Sequence, residues 1–214
     1  MATAGGSYES NVFVNCPFDS DYHPLLRPLL FTILLLGFTP KIASERSDSG
    51  EFRLAKISEF IRGSRYSIHD LSRIQARARG EFYRMNMPFE LGLEYGCRLF
   101  GGQPFDEKRC LILEKRPYHY MKALSDLSGI DIENHNNEPI SLVRQVRNWF
   151  VETVGVRGAP SATAIWYAFD NDFMADFYER RQAEGFAQDD LNMMPVPEYV
   201  DFIRDWLRMI RPGA

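Results

Sequence analysis

The first regular pattern along the chain is Val12-Phe-Val-Asn-Cys-Pro-Phe18, a short run of β-branched and aromatic residues halted by Pro17. It predicts a buried strand that ends near Cys16. From Asp21 the period changes: Leu25, Leu29, Ile33 and Leu36 recur at spacings of four, four and three, and Gly37 stands where a helix C-cap is expected. A helix over roughly 24–36 follows. Phe38 to Ser44 reads as a second strand, and the turn-prone Ser47-Asp-Ser-Gly50 leads into Phe52, Ile57, Phe60 and Ile61, an amphipathic helix ended near Gly63. Arg65 to Leu71 is a third strand. Asn86 to Phe100 is a third helix, with Asn86 as its cap, Pro88 in its first turn and Phe89, Leu93, Gly96, Cys97 and Phe100 as the inward stripe. After the Gly101-Gly-Gln-Pro104 break, Arg109 to Glu114 is a continuous apolar strand. Strands alternating with helices of this length predict an α/β fold, a flavodoxin-like, doubly wound parallel sheet covered on both faces.

Beyond the fourth strand, Ile140 to Val154 forms a helix with Leu142, Val146, Trp149 and Phe150 inward, and Gly155 to Pro160 reads as a linker. Two helices are expected after it, Ile165 to Arg181 and Val200 to Ile210. The division is therefore a disordered start over residues 1–10, an α/β domain over 11–154 and a helical extension over 155–214. The 214 residues, 45% hydrophobic, are enough chain for one well-buried core. Charge separates the two parts: six basic against eleven acidic residues put −5 on 151–214, while 19 against 18 leave the body at +1. Neither part has the basic excess that nucleic-acid backbones require, and Arg73, Arg77, Arg79 and Arg84, opposed by Glu81, read as a solvated loop. Arg27, Pro28 and Thr32 interrupt the longest apolar stretch, so no membrane span is expected. Met1 to Ser10 lacks a signal-peptide pattern, which points to the cytoplasm. Cys16, Cys97 and Cys110 show no C-x-x-C spacing and read as reduced thiols, and no metal site is expected.

In an open parallel sheet, ligands bind beyond the C-terminal ends of the strands. The loops there hold Asn15, Cys16, Phe18 and Asp19 after the first strand, Glu45 to Gly50 after the second, and His69, Asp70 and Ser72 at the third. Glu90 opens the following helix, where a carboxylate facing the crevice could stabilise positive charge at a sugar C1′. Each residue has a plainer reading. Glu90 could simply complement the helix dipole, Glu94 could lie on a solvated face, His69 could be a satisfied strand histidine and Asp70 a turn cap. Ser47 to Gly50 could cradle a phosphate at a helix N-terminus. No G-x-G-x-x-G and no Walker lysine motif is present.

At Glu90 the chain resembles a known family. Arg84-x-Asn86-x-x-Phe89-Glu90-Leu91-Gly92, with the apolar helix and strand that follow, is similar to the R-x-N-x-x-F-E-L-G segment of bacterial TIR-like nucleotide-binding domains. Val12 to Phe18 resembles the first strand and loop of that family and of nucleoside 2-deoxyribosyltransferases, and Asp70-Leu-Ser72 matches a D-L-S that often precedes the helix. The likeness covers about residues 11–115. It implies attack on the N-glycosidic bond of NAD, as substrate and not cofactor, by hydrolysis or cyclisation in antiphage defence. Glu90 would be the catalytic residue. Phe18 would stack on a base, Ser49 and Gly50 would meet a phosphate, Asp70 would wall the pocket, and Asn15, Cys16, Asp19, Arg46 and Asn86 would complete the substrate contacts. Met87 and Pro88 depart from the family, which carries a small residue and a tryptophan just before the glutamate. A deoxyribosyltransferase-like enzyme and a non-catalytic nucleotide-sensing module are the alternatives. A homo-oligomer or a partner protein is expected to engage the C-terminal helices.

Overall fold

The computed structural model describes residues 6–45, 48–74 and 85–211. Arg46, Ser47, Arg77, Arg79, Glu81 and Arg84 lie outside the described residues. Five parallel strands form one sheet: β1 (Asn11–Asn15), β2 (Thr39–Ile42), β3 (Tyr66–Asp70), β4 (Arg109–Glu114) and β5 (Glu133–Asn134). Their order is β2-β1-β3-β4-β5, the flavodoxin-like doubly wound arrangement. Register aligns Asn15 with His69 and His69 with Ile112, so the ends of the central strands are level.

Alternation along the strands assigns the faces. Val12, Val14, Tyr66, Ile68, Leu111 and Leu113 pack with α1 (His23–Leu35) and α4 (Pro139–Trp149) in the main core. Phe13 packs on the other side with Ile57, Phe60 and Ile61 of α2 (Arg53–Arg62), and Ile112 with Met87 and Leu91 of α3 (Asn86–Phe100).

Helix α3 has the expected span but a different orientation. Met87, Glu90, Leu91 and Glu94 face inward, whereas Phe89 and Phe100 are 56% and 87% exposed. The sheet beneath α3 presents the buried polar side chains Asn15, Ser67 and His69, which suit the helix's acidic ridge better than its aromatic one. Met85 occupies the N-cap, so Asn86 is the first helical residue and Glu90 lies in the second turn.

Residues 6–10, expected to be part of a disordered start, are packed onto the domain. Tyr8 begins a short 3-10 turn, its carbonyl accepts from the Arg65 N–H at 3.0 Å, and its ring meets Phe105 edge-on.

Past Gly155, whose φ of +89° suits a residue without a side chain, the chain forms α5 (Ala162–Tyr167), a π-helical segment Ala168–Phe173, α6 (Met174–Ala183), α7 (Gln188–Asn192) and α8 (Val196–Ile210). These helices share the core of the sheet domain. Phe31 of α1 contacts Phe169, Phe173 and Trp206, while Arg27 donates to the Leu191 carbonyl at 2.6 Å and Arg211 to that of Leu35 at 3.1 Å. Phe173, with no exposed surface, touches six other aromatic rings. Phe173→Ala is expected to cost about 3–5 kcal/mol. Because the core is continuous, chemical denaturation followed at both Trp149 and Trp206 should show one shifted transition and not two.

Candidate functional site

The order of the strands reverses between β1 and β3, and a crevice at the C-terminal ends of such a pair is where doubly wound sheets bind ligands. Asn15 ends β1 and Asp70 ends β3. On the α3 side of this edge, Asn15 donates through Nδ2 to His69 Nδ1 at 3.0 Å and to the Met87 carbonyl at 2.9 Å. The second bond ties the start of α3 to the end of β1. Since His69 Nδ1 accepts, its proton sits on Nε2. Burial, reinforced by the Lys108 charge, lowers the ring's pKa to about 3, so His69 is neutral. Its Nε2 and Asn15 Oδ1 are buried without a partner among the described residues.

One turn into α3, Glu90 is only 3% exposed. Burial raises its pKa, and the Arg53 guanidinium, 3.4 Å away, partly opposes that rise. Arg53 is the first residue of α2, where the helix dipole disfavours a cation. A basic residue at that position is the sequence signal for an anion nearby, and it was not read. The Arg53 side chain is half exposed, so it connects a buried carboxylate to the mouth of the crevice.

Glu94 is also buried, not on the solvated face expected from the sequence. Its carboxylate lies 3.3 Å from Lys108 Nζ, and neither side chain is more than 3% exposed. Burial raises the Glu94 pKa, with Lys108 and the Ser67 hydroxyl opposing. Lys108 also donates to the carbonyls of Ile61, at 2.7 Å, and Ser64. With three partners its ammonium is satisfied, which makes the pair a structural anchor below Glu90.

On the opposite face, Asp70 has no exposed surface. Its Oδ2 accepts from the Tyr22 hydroxyl and from His135 Nε2 at 3.1 Å, and its Oδ1 from the Ser72 N–H at 2.8 Å. Burial alone would raise its pKa, but these bonds outweigh burial and hold the carboxyl below its ordinary value. His135 Nε2 is also 2.9 Å from Ser72 Oγ. Serine, histidine and aspartate nevertheless do not make a nucleophilic triad here. His135 Nδ1 accepts from the Asn137 N–H at 3.0 Å, so Nε2 carries the proton and cannot take one from Ser72. The group braces the edge of β3. Tyr22 and His135, like Lys108, were missed from sequence because each lies far along the chain from the residue it serves.

The other expected residues are spread around this edge. Cys16 is fully buried, and burial drives its thiol pKa well up. Asp19 pairs with Arg73 at 3.0 Å. Ser49 and Gly50 lie in the exposed turn before α2, where Asp48 accepts from the Gly50 N–H at 2.8 Å. Asn86 is exposed at the start of α3. Phe18 lines a groove of about 1320 Å³ with His23, Trp166, Phe169, Tyr178 and Met194, to which α3 contributes no residue. Among the described residues no helix is long and apolar enough to cross a membrane. No family model, curated protein or solved structure matches the chain.

Proposed function

We propose that the chain is a TIR-like enzyme that cleaves the N-glycosidic bond of NAD, with Glu90 as the catalytic carboxylate. The observation that carries this reading is a buried glutamate in the helix after β3, at the β1/β3 switch point, paired with Arg53, whose side chain reaches the surface. As the C1′–N bond breaks, its electron pair passes to the pyridinium nitrogen and neutral nicotinamide leaves. The ribose carries the positive charge, and a desolvated carboxylate stabilises it far better than one in water. Water, or a nucleophile within the substrate, then bonds to C1′ and gives up its proton. Ser49 and Gly50 meet the diphosphate, and Arg53 orients Glu90 at the mouth. The setting is the bacterial cytoplasm, in defence against phage.

Purified protein incubated with NAD should release nicotinamide together with ADP-ribose or a cyclic product. Base exchange between deoxynucleosides, with NAD untouched, would instead favour a deoxyribosyltransferase.

The rate should depend on ionised Glu90 and rise with pH. Arg53 holds the Glu90 pKa down against burial. Arg53→Ala should therefore move the acidic limb of the kcat profile to higher pH, and a limb unmoved or shifted downward would count against the assignment.

A further inference from the structure

The residues Phe89, Leu93, Gly96 and Phe100 recur along one side of α3; Phe89 and Phe100 at its ends are exposed, while Leu93 and Gly96 between them are half-buried, Leu93 packing toward α2. Two features of this face are complementary. Phe89, 56% exposed, protrudes near the start of the helix. Near its end, a socket of about 330 Å³ opens between α2 and α3, lined by Ile61, Leu93, Gly96, Cys97, Phe100 and Phe105. A Cβ placed at Gly96 would meet no atom within 4 Å beyond its own stretch of helix. The stripe is also symmetric about its midpoint between Glu94 and Tyr95. If a second α3 is laid antiparallel on the first, Phe89 falls opposite Phe100 and Leu93 opposite Gly96.

We propose that the outer face of α3 is a self-docking surface, on which two copies of this chain pair about a two-fold axis and each inserts Phe89 into the other's socket. A two-fold contact requires a self-complementary patch, and knob and socket on one helix meet that requirement. The area suits a weak, reversible dimer. At about 150–250 Å² per aromatic side chain, Phe89 and Phe100 offer roughly 200–350 Å². Leu99, 67% exposed, and the socket walls add to this, which leaves the face below the about 800 Å² per partner of a standard interface and within the range of weak, transient ones. The pairing holds α3, and with it the Glu90 side of the crevice, in a fixed position, but it does not depend on what the crevice binds.

Sedimentation velocity on the full chain tests the pairing and its direction. At about 50 µM, above the micromolar dissociation constants typical of the weakest interfaces of this size, the native protein should be a dimer. Phe89→Lys and Phe100→Glu should each be monomeric. Mixed in equal amounts they should dimerise again, since one seam then pairs Lys with Glu and the other keeps Phe against Phe. Gly96→Leu covers the case in which a charged variant misfolds. It has room within its own chain and gains helix propensity, yet it fills the socket and should be monomeric. A monomeric native protein, dimers untouched by these substitutions, or single variants that stay monomeric when mixed would each overturn the proposal.

Discussion

Lys108→Met is expected to destabilise the protein by about 3–5 kcal/mol, because it leaves the Glu94 carboxylate buried without its cation. Burial already raises the Glu94 pKa while Lys108 opposes that rise, so the substitution raises it further. A carboxyl whose folded pKa exceeds its unfolded value stabilises the fold when protonated and loses that contribution as pH rises through the folded pKa. The deficit of Lys108→Met should accordingly be large at neutral pH and shrink as pH falls toward the ordinary glutamate range. Pairing the change with Glu94→Leu removes both charges from the same site. The double variant should recover the part of the loss that comes from the stranded charge, since a buried ion pair contributes little beyond an apolar replacement of similar volume, while the Ile61 and Ser64 carbonyls still lack the Lys108 donor. Urea denaturation of the two single variants and the double variant at two pH values measures both effects, and simple additivity would contradict the coupling.

Glu90→Gln is expected to produce two opposite effects. In turnover it should cost a factor of about 10²–10³, the typical loss when one charge-stabilising group is removed from the site of developing charge. In stability it should gain. Burial raises the Glu90 pKa, and the half-exposed Arg53 offsets only part of that rise, so the ionised carboxylate disfavours the fold at neutral pH and an uncharged amide does not. Each kcal/mol gained would raise Tm by about 2–4 °C for a chain of this length, the direction expected of a residue kept for activity. Glu94→Gln should behave differently. It strands Lys108 and should lower Tm, so the two buried glutamates, one turn apart, are separated by the sign of their effect.

The alternation of strands and helices was readable because β1 to β4 are runs of four to six residues with apolar positions and each helix keeps its own period, whereas β5, two polar residues long, carried no such signal. β4 and α3 begin and end at the residues expected. The rotation of α3 was not readable. The helix carries two candidate faces, Phe89-Leu93-Gly96-Phe100 and Met87-Glu90-Leu91-Glu94, and hydrophobicity alone favours the first. Only the strand register reveals that Asn15, Ser67 and His69 lie beneath it and accept the acidic one. The C-terminal helices misled through composition. Their acids pair locally, Asp176 with Arg180 at 3.3 Å, Asp201 with Arg204 at 2.9 Å and Asp205 with Arg208 at 2.7 Å. The aromatic faces of α6 and α8 are thereby left to cover α1, as part of the core. Glu90 was singled out through a local motif, and the structure shows it buried. The brace on Asp70 joins it to Tyr22 and to His135, 65 positions away, a pairing that no spacing rule reaches.

The most direct test of the account is nicotinamide release from NAD, followed by chromatography for the native protein and Glu90→Gln at matched concentrations, with Tm recorded on the same samples. The account predicts turnover by the native protein, its near-complete loss in the variant and an unchanged or higher Tm. A folded Glu90→Gln variant that releases nicotinamide at the native rate would contradict it.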